Sequence, residues 1–88
     1  MRLDLTVWAG AGAAFLSSLS YVPQVRKAWP RGSTADLSLT MLLVLTAGLS
    51  LWVVYGLLRG DWMIVAANAA GAALTGTVLG FKIRDTLS

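Results

Sequence analysis

Charged residues divide the chain into three apolar stretches, 5–25, 37–58 and 62–81, bounded by Asp4 and Arg26, by Asp36 and Arg59, and by Asp61 and Lys82. Each is close to the roughly 20 residues that a helix needs to cross about 30 Å of hydrocarbon. A helix of a soluble bundle carries a polar stripe opposite its apolar one, and none of these stretches does. The pattern predicts an all-α membrane protein, one domain over 1–88, made of three transmembrane helices. The first stretch is too long for the core of a cleaved signal peptide, and Pro23-Gln24 falls where cleavage wants small residues.

The connections differ in kind. Arg59-Gly60-Asp61 is so short that the second and third helices must form a tight antiparallel hairpin. Residues 27–36 contain Pro30-Arg31-Gly32-Ser33 and read as a turn-rich loop. Thr34 through Leu37 reads as a helix start, with Asp36 as its candidate cap. In the third stretch Ala72, Gly76 and Gly80 stand at the small-xxx-small spacing that lets helix backbones approach in lipid, which predicts a compact bundle.

Composition sharpens this picture. Only 12% of residues are charged and 57% are hydrophobic, against about 25% charged in an ordinary soluble domain, so lipid is the solvent for most of the chain. There is no cysteine and no histidine, which removes disulfides, the usual zinc, copper and haem ligands, and the usual general base. No metal and no cofactor is expected. With no nucleophile and base together, neither is an enzyme. The net charge of +3 does not gather on one helix face as a nucleic-acid partner would require. It maps instead onto topology. Arg26, Lys27 and Arg31 share a side with Lys82 and Arg84, while the other side holds Arg2 and Arg59 opposed by Asp4 and Asp61. The positive-inside rule then places the N-terminus outside and the C-terminus in the cytoplasm, with Trp8, Trp29 and Trp62 at the interfaces.

Two side chains inside the spans call for a reason. Asn68 lies about seven residues, roughly 10 Å, inside the membrane from Asp61, and an amide there must find a partner helix or a hydrated cavity. Trp52 lies about as far from Arg59, and so at about the same depth. Trp52, Tyr55 and Arg59 follow i, i+3, i+7 on one face. A sugar ring offers C–H faces to an indole and hydroxyls to an amide, so the pair suits a ring-shaped polar ligand. Pro23 deletes one backbone hydrogen bond late in the first helix, as a static kink or as a hinge.

At Tyr21-Val22-Pro23-Gln24 the sequence resembles the PQ-loop family, and within it the bacterial SemiSWEETs, half-size relatives of the SWEET sugar transporters. The likeness continues through Thr34, Asp36, Leu37 and Ser38, then Leu51, Trp52, Tyr55 and Gly56, and Asn68. It implies a parallel homodimer of three-helix bundles around one central translocation path. It further implies Trp52 and Asn68 as the sugar site, Tyr55, Arg59 and Asp61 as an extracellular gate, Pro23 with Gln24 as a hinge, and Tyr21 at the cytoplasmic constriction. Tyr21 stands where the family more often has Phe, and Leu42 and Leu43 give no distinctive match to an inner gate. The expected activity is facilitated uniport of a mono- or disaccharide across a bacterial plasma (inner) membrane by alternating access. A proton-coupled carrier is the first alternative, disfavoured because Asp4, Asp36, Asp61 and Asp85 all lie at helix ends. A structural or lytic, holin-like oligomer is the second, and it leaves Trp52, Asn68 and Pro23-Gln24 without a role.

Overall fold

The computed structural model describes residues 5–87, so Arg2 and Asp4 lie outside the described residues. Three helices follow in order: α1 (Leu5–Ala28), α2 (Leu39–Arg59) and α3 (Trp62–Leu87). All three are long and apolar enough to cross a membrane.

The helix ends show what the charges alone could not fix. α1 continues through Pro23 to Ala28 and stops ahead of Trp29, because the residue before a proline avoids the helical region. α2 begins two residues later than expected. Its cap is Ser38, whose Oγ accepts from the Met41 amide at 3.0 Å, and not Asp36. Thr34 to Leu37 forms a turn instead, closed by the Leu37 amide on the Thr34 carbonyl at 3.0 Å. α3 runs past Phe81 to Leu87, since Lys82 and Arg84 end the apolar stretch without breaking the helix. The tight hairpin depends on Gly60, which ends α2 at φ +68°, a conformation glycine adopts without steric cost. Asp61 then caps α3, its Oδ1 accepting from the amides of Met63 at 3.1 Å and Ile64 at 3.2 Å.

The three helices form the expected bundle, flattened toward a layer. The molecule measures 50 × 23 × 13 Å, and its width is that of three helices side by side at about 8–10 Å between axes. α3 lies in the middle with α1 on one flank and α2 on the other, and α1 and α2 do not pack on each other among the described residues. The close seam is not the expected row of Ala72, Gly76 and Gly80. A β-carbon at Gly80 would meet nothing within 4 Å, whereas one at Gly71 would stand 3.2 Å from Leu49 and 3.3 Å from Tyr21. Gly71, Thr75 and Val78 are the buried residues of α3. Residues 66–73 are small on almost every side, so the larger partners Leu42, Thr46 and Leu49 decide which face packs.

One end of the layer is tied far more tightly than the other. The buried apolar residues Ala28, Leu42 and Val78 meet at the loop end, one from each helix, flanked by Val25, Leu37, Leu79 and Phe81. Around them α3 holds the α1–α2 loop. Asp85 accepts from the Gly32 amide at 3.0 Å, the Thr34 amide at 3.3 Å and the Thr34 hydroxyl at 2.6 Å. Arg84 Nε donates to the same carboxylate at 2.8 Å. The other guanidinium nitrogens donate to the carbonyls of Trp29 at 2.9 Å, Pro30 at 3.1 Å and Ala28 at 3.3 Å. Lys82 Nζ donates to the Thr34 carbonyl at 2.9 Å. These residues stand beyond the apolar part of α3, and the bonds from Arg84, Thr34 and Gly32 hold the Asp85 carboxyl well below the usual carboxylate range.

Candidate functional site

Because α1 and α2 flank α3 without meeting, one face of the layer carries a groove floored by α3. Its volume is about 470 Å³, with Asn68, Ala67 and Gly71 on the floor, Gly10, Ser17 and Tyr21 on the α1 wall, and Leu49 on the α2 wall. Asp61 and Thr6 line it toward the hairpin end. An apolar cleft of this size with a few convergent polar groups has the form of a small-molecule site, which spans about 300–1,000 Å³.

Asn68 is the central polar group. One donor of its amide is spent on the Ile64 carbonyl of its own helix at 2.9 Å, not on a neighbouring helix. A carboxamide has two donors and an acceptor oxygen, so the second donor and Oδ1 remain for whatever enters the groove. A polar bond between helices inside the spans lies elsewhere, from Thr46 Oγ1 to Thr75 Oγ1 at 3.1 Å.

Trp52 does not line this groove within the protomer. It lies with Gly48, Leu51 and Tyr55 on a separate hollow of α2, 52% exposed, and its ring meets that of Tyr55 edge-on at 5.3 Å and 86°. Its level is nevertheless that of Asn68. The antiparallel register sets Gly56 against Ile64 and Val65, and Leu49 against Gly71; three residues along each helix from the second pair are Trp52 and Asn68. Leu49, on the groove wall, precedes Trp52 by about one turn, and the indole itself lies in the hollow with Gly48 and Tyr55.

The other candidate residues divide between the two ends. Tyr21 is in the groove beside Gly71, one turn from Asn68 toward the loop. Arg59 lies in a hollow at the hairpin with Gly60, Asp61 and Trp62, and Asp61 belongs to both concavities. Within the protomer Arg59 and Asp61 form no ion pair among the described residues; the carboxylate is occupied by the cap of α3. Pro23 is exposed, and Gln24 points away from the groove into a small hollow beside Lys27, Ser33 and Asp36. Leu42 is buried in the loop-end core and cannot line a gate. Sequence reasoning passed over Ser17, a polar residue one turn before Tyr21 on the same face, and Leu49, which only the helix register brings to the groove.

A layer of three membrane-spanning helices with a largely apolar groove across one face, a few polar groups within it, is the unit of a small multi-pass membrane protein. Its sequence matches the family described as PQ loop repeat over residues 5–65. It is 43% identical over 75 residues to the sugar transporter SemiSWEET of Bradyrhizobium diazoefficiens, covering 85% of this chain and 87% of that one. Likeness to the sugar transporter SemiSWEET of Leptospira biflexa is 36% over 76 residues, 86% and 89% of the two chains. An uncharacterised protein of Methanocaldococcus jannaschii is 32% identical over 87 residues, 99% of this chain and 92% of its own. The chain belongs to the PQ-loop family and, within it, to the SemiSWEETs. The named relatives are transporters and not enzymes, in keeping with the absence of a nucleophile and base noted above.

Proposed function

We propose that this protein carries a mono- or disaccharide across the plasma membrane by facilitated uniport, as a parallel homodimer that exposes its site to each side in turn. The observation that carries the reading is the groove on one face, with a donor and an acceptor of Asn68 left over on its floor and Trp52 at the same level of α2. Such a half-site is completed by a second copy laid face to face, because three helices in one layer enclose nothing. Indole faces and amide groups from both protomers then surround the sugar ring. Tyr55, Arg59 and Asp61 form the outer gate, Tyr21 the inner constriction, and Pro23 with Gln24 the hinge between them. The N-terminus is outside and the C-terminus cytoplasmic, following the cations of the loop end. The sugar-transporter names of the two SemiSWEET relatives support the substrate class. Counterflow in proteoliposomes across a panel of sugars tests it: saturable, stereoselective exchange is expected, and unselective leakage would favour the lytic oligomer.

One observation favours a second reading. Asp61 lines the groove, so a carboxylate has access to the path after all, and proton coupling through it is the alternative to be tested.

A further inference from the structure

α1 ends at Ala28 with carbonyls that no residue of its own helix can satisfy. Its cap comes from another helix: the Arg84 guanidinium reaches the carbonyls of Ala28, Trp29 and Pro30. Asp85 orients that guanidinium and simultaneously holds the loop through Gly32 and Thr34, and Thr34 is fully buried. Charge-assisted bonds of this kind are about twice as strong as neutral ones. Above Pro23, by contrast, α1 packs on α3 among the described residues, through Met63 against Gly10 and Tyr21 against Gly71. Proline removes the bond that its own position would make to the Leu19 carbonyl. The proline therefore separates a segment tied by hydrogen bonds to α3 from one joined to it by side-chain packing.

We propose that Arg84 and Asp85 are positioning residues for transport: they clasp the end of α1 and the loop to α3, so that the inner end of each protomer moves as one body. The bending of α1 is confined to Pro23 and Gln24, and the clasp stays closed throughout the cycle. Residues 25–34 serve as a fixed anchor, against which the stretch of α1 bearing Ser17 and Tyr21 swings to open or narrow the groove. This extends the alternating-access reading and rests on it. Without the clasp, the loop and the last turn of α1 would yield along with the hinge, and bending at Pro23 would no longer be transmitted to Tyr21.

The chain has no cysteine, which permits a direct test. In Thr34→Cys/Asp85→Cys the carboxylate that orients Arg84 and holds the loop is removed, and a short bifunctional thiosulfonate replaces it by a covalent bridge that reductant releases. The unbridged protein is expected to slow in sugar counterflow at least about fivefold, the factor that separates small free-energy differences, with half-saturation by sugar little changed. Bridging restores the rate and reduction abolishes it again. A bridged protein that is blocked until reduced shows that the clasp opens in each cycle; an unbridged protein at the wild-type rate shows that it positions nothing. Either overturns the proposal. Spin labels in Arg26→Cys/Ile83→Cys, diluted with unlabelled protomers, supply a readout independent of transport. One narrow distance, with and without sugar, is expected, while Phe15→Cys/Ile83→Cys gives a distance that shifts. A shift in the first pair refutes the single body even if transport persists. Should the wild-type protein exchange no sugar, the functional reading fails while the first label pair still decides whether the clasp holds.

Discussion

At the scale of the residue, the proposed site gives the amide of Asn68 and the indole of Trp52 different duties. Asn68 sits on the groove floor with a donor and an acceptor uncommitted, so its removal costs hydrogen bonds to the ligand and little within the protomer. Trp52 offers a half-exposed aromatic face beside Tyr55, and its loss costs ring contact. Asn68→Ala and Trp52→Ala are each expected to lower sugar counterflow by at least about tenfold, the factor that corresponds to about 1.4 kcal/mol, with the protein folded and inserted. Near wild-type exchange by either variant removes that residue from the site. Both were legible as polar and aromatic outliers in apolar spans. That Asn68 bonds back to Ile64 was not legible, because a sequence cannot say whether an amide finds its own helix or a neighbour. Nor could it say that Asp61 serves as a cap, since an acidic residue beside a turn reads equally as a gate charge. The clasp escaped notice for the opposite reason: Arg84 and Asp85 read as an ordinary charged tail until the loop some fifty residues earlier folds against them.

At the scale of the element, two helices carry opposite requirements for backbone. α2 and α3 must approach closely at Gly56, where an added β-carbon would stand 2.9 Å from a Val65 methyl, 3.0 Å from an Ile64 methyl and 3.1 Å from the Val65 amide nitrogen. The last contact is backbone and cannot rotate away. Gly56→Ala is expected to destabilise the hairpin by about 1–3 kcal/mol, the range of overpacked sites, read as an earlier unfolding transition in detergent; an unshifted transition would mean that the hairpin separates freely. α1, in contrast, must bend in the proposed cycle. Pro23→Ala restores the missing donor and stiffens the helix, so sugar binding should persist while counterflow slows severalfold. Unchanged counterflow leaves Pro23 as a static feature. The spans themselves were plain from charge placement, yet their ends moved by several residues wherever tertiary bonds overrode local signals. Ser38 displaced Asp36 as the cap of α2 because Thr34, which would have opened an earlier turn, is held by Asp85 and Lys82. The packing row on α3 shifted by one residue because a run of alanine and glycine offers several equivalent faces.

At the scale of the whole molecule, a layer 13 Å deep with a groove along one face supplies, in the proposed transporter, one half of a path that a second copy encloses. Native mass measurement in lipid is expected to find a dimer, and a monomer competent in transport would end the proposal. The dimer also decides what Arg59 and Asp61 do. Within one protomer they form no ion pair among the described residues, and Asp61 is engaged by the Met63 and Ile64 amides; a pairing that seals the outer side therefore joins different protomers. Such exposed pairs contribute about 0–1 kcal/mol each, weak enough to break once per cycle. Arg59→Gln should favour the outward-open state, measured as faster labelling of a cysteine placed beside Tyr55. Asp61 demands a variant that separates its three possible duties of cap, gate and proton carrier. Asparagine caps a helix about as well as aspartate, so Asp61→Asn keeps the start of α3 intact while removing charge and proton. For a uniporter, an imposed proton gradient leaves sugar at its equilibrium distribution, and Asp61→Asn alters labelling at the outer gate without altering that distribution. Accumulation of sugar above equilibrium in the wild-type protein, lost in Asp61→Asn with the helix still capped, would make Asp61 a proton carrier. Uniport would then have to be abandoned, while the groove, the dimer and the clasp at the loop end would stand.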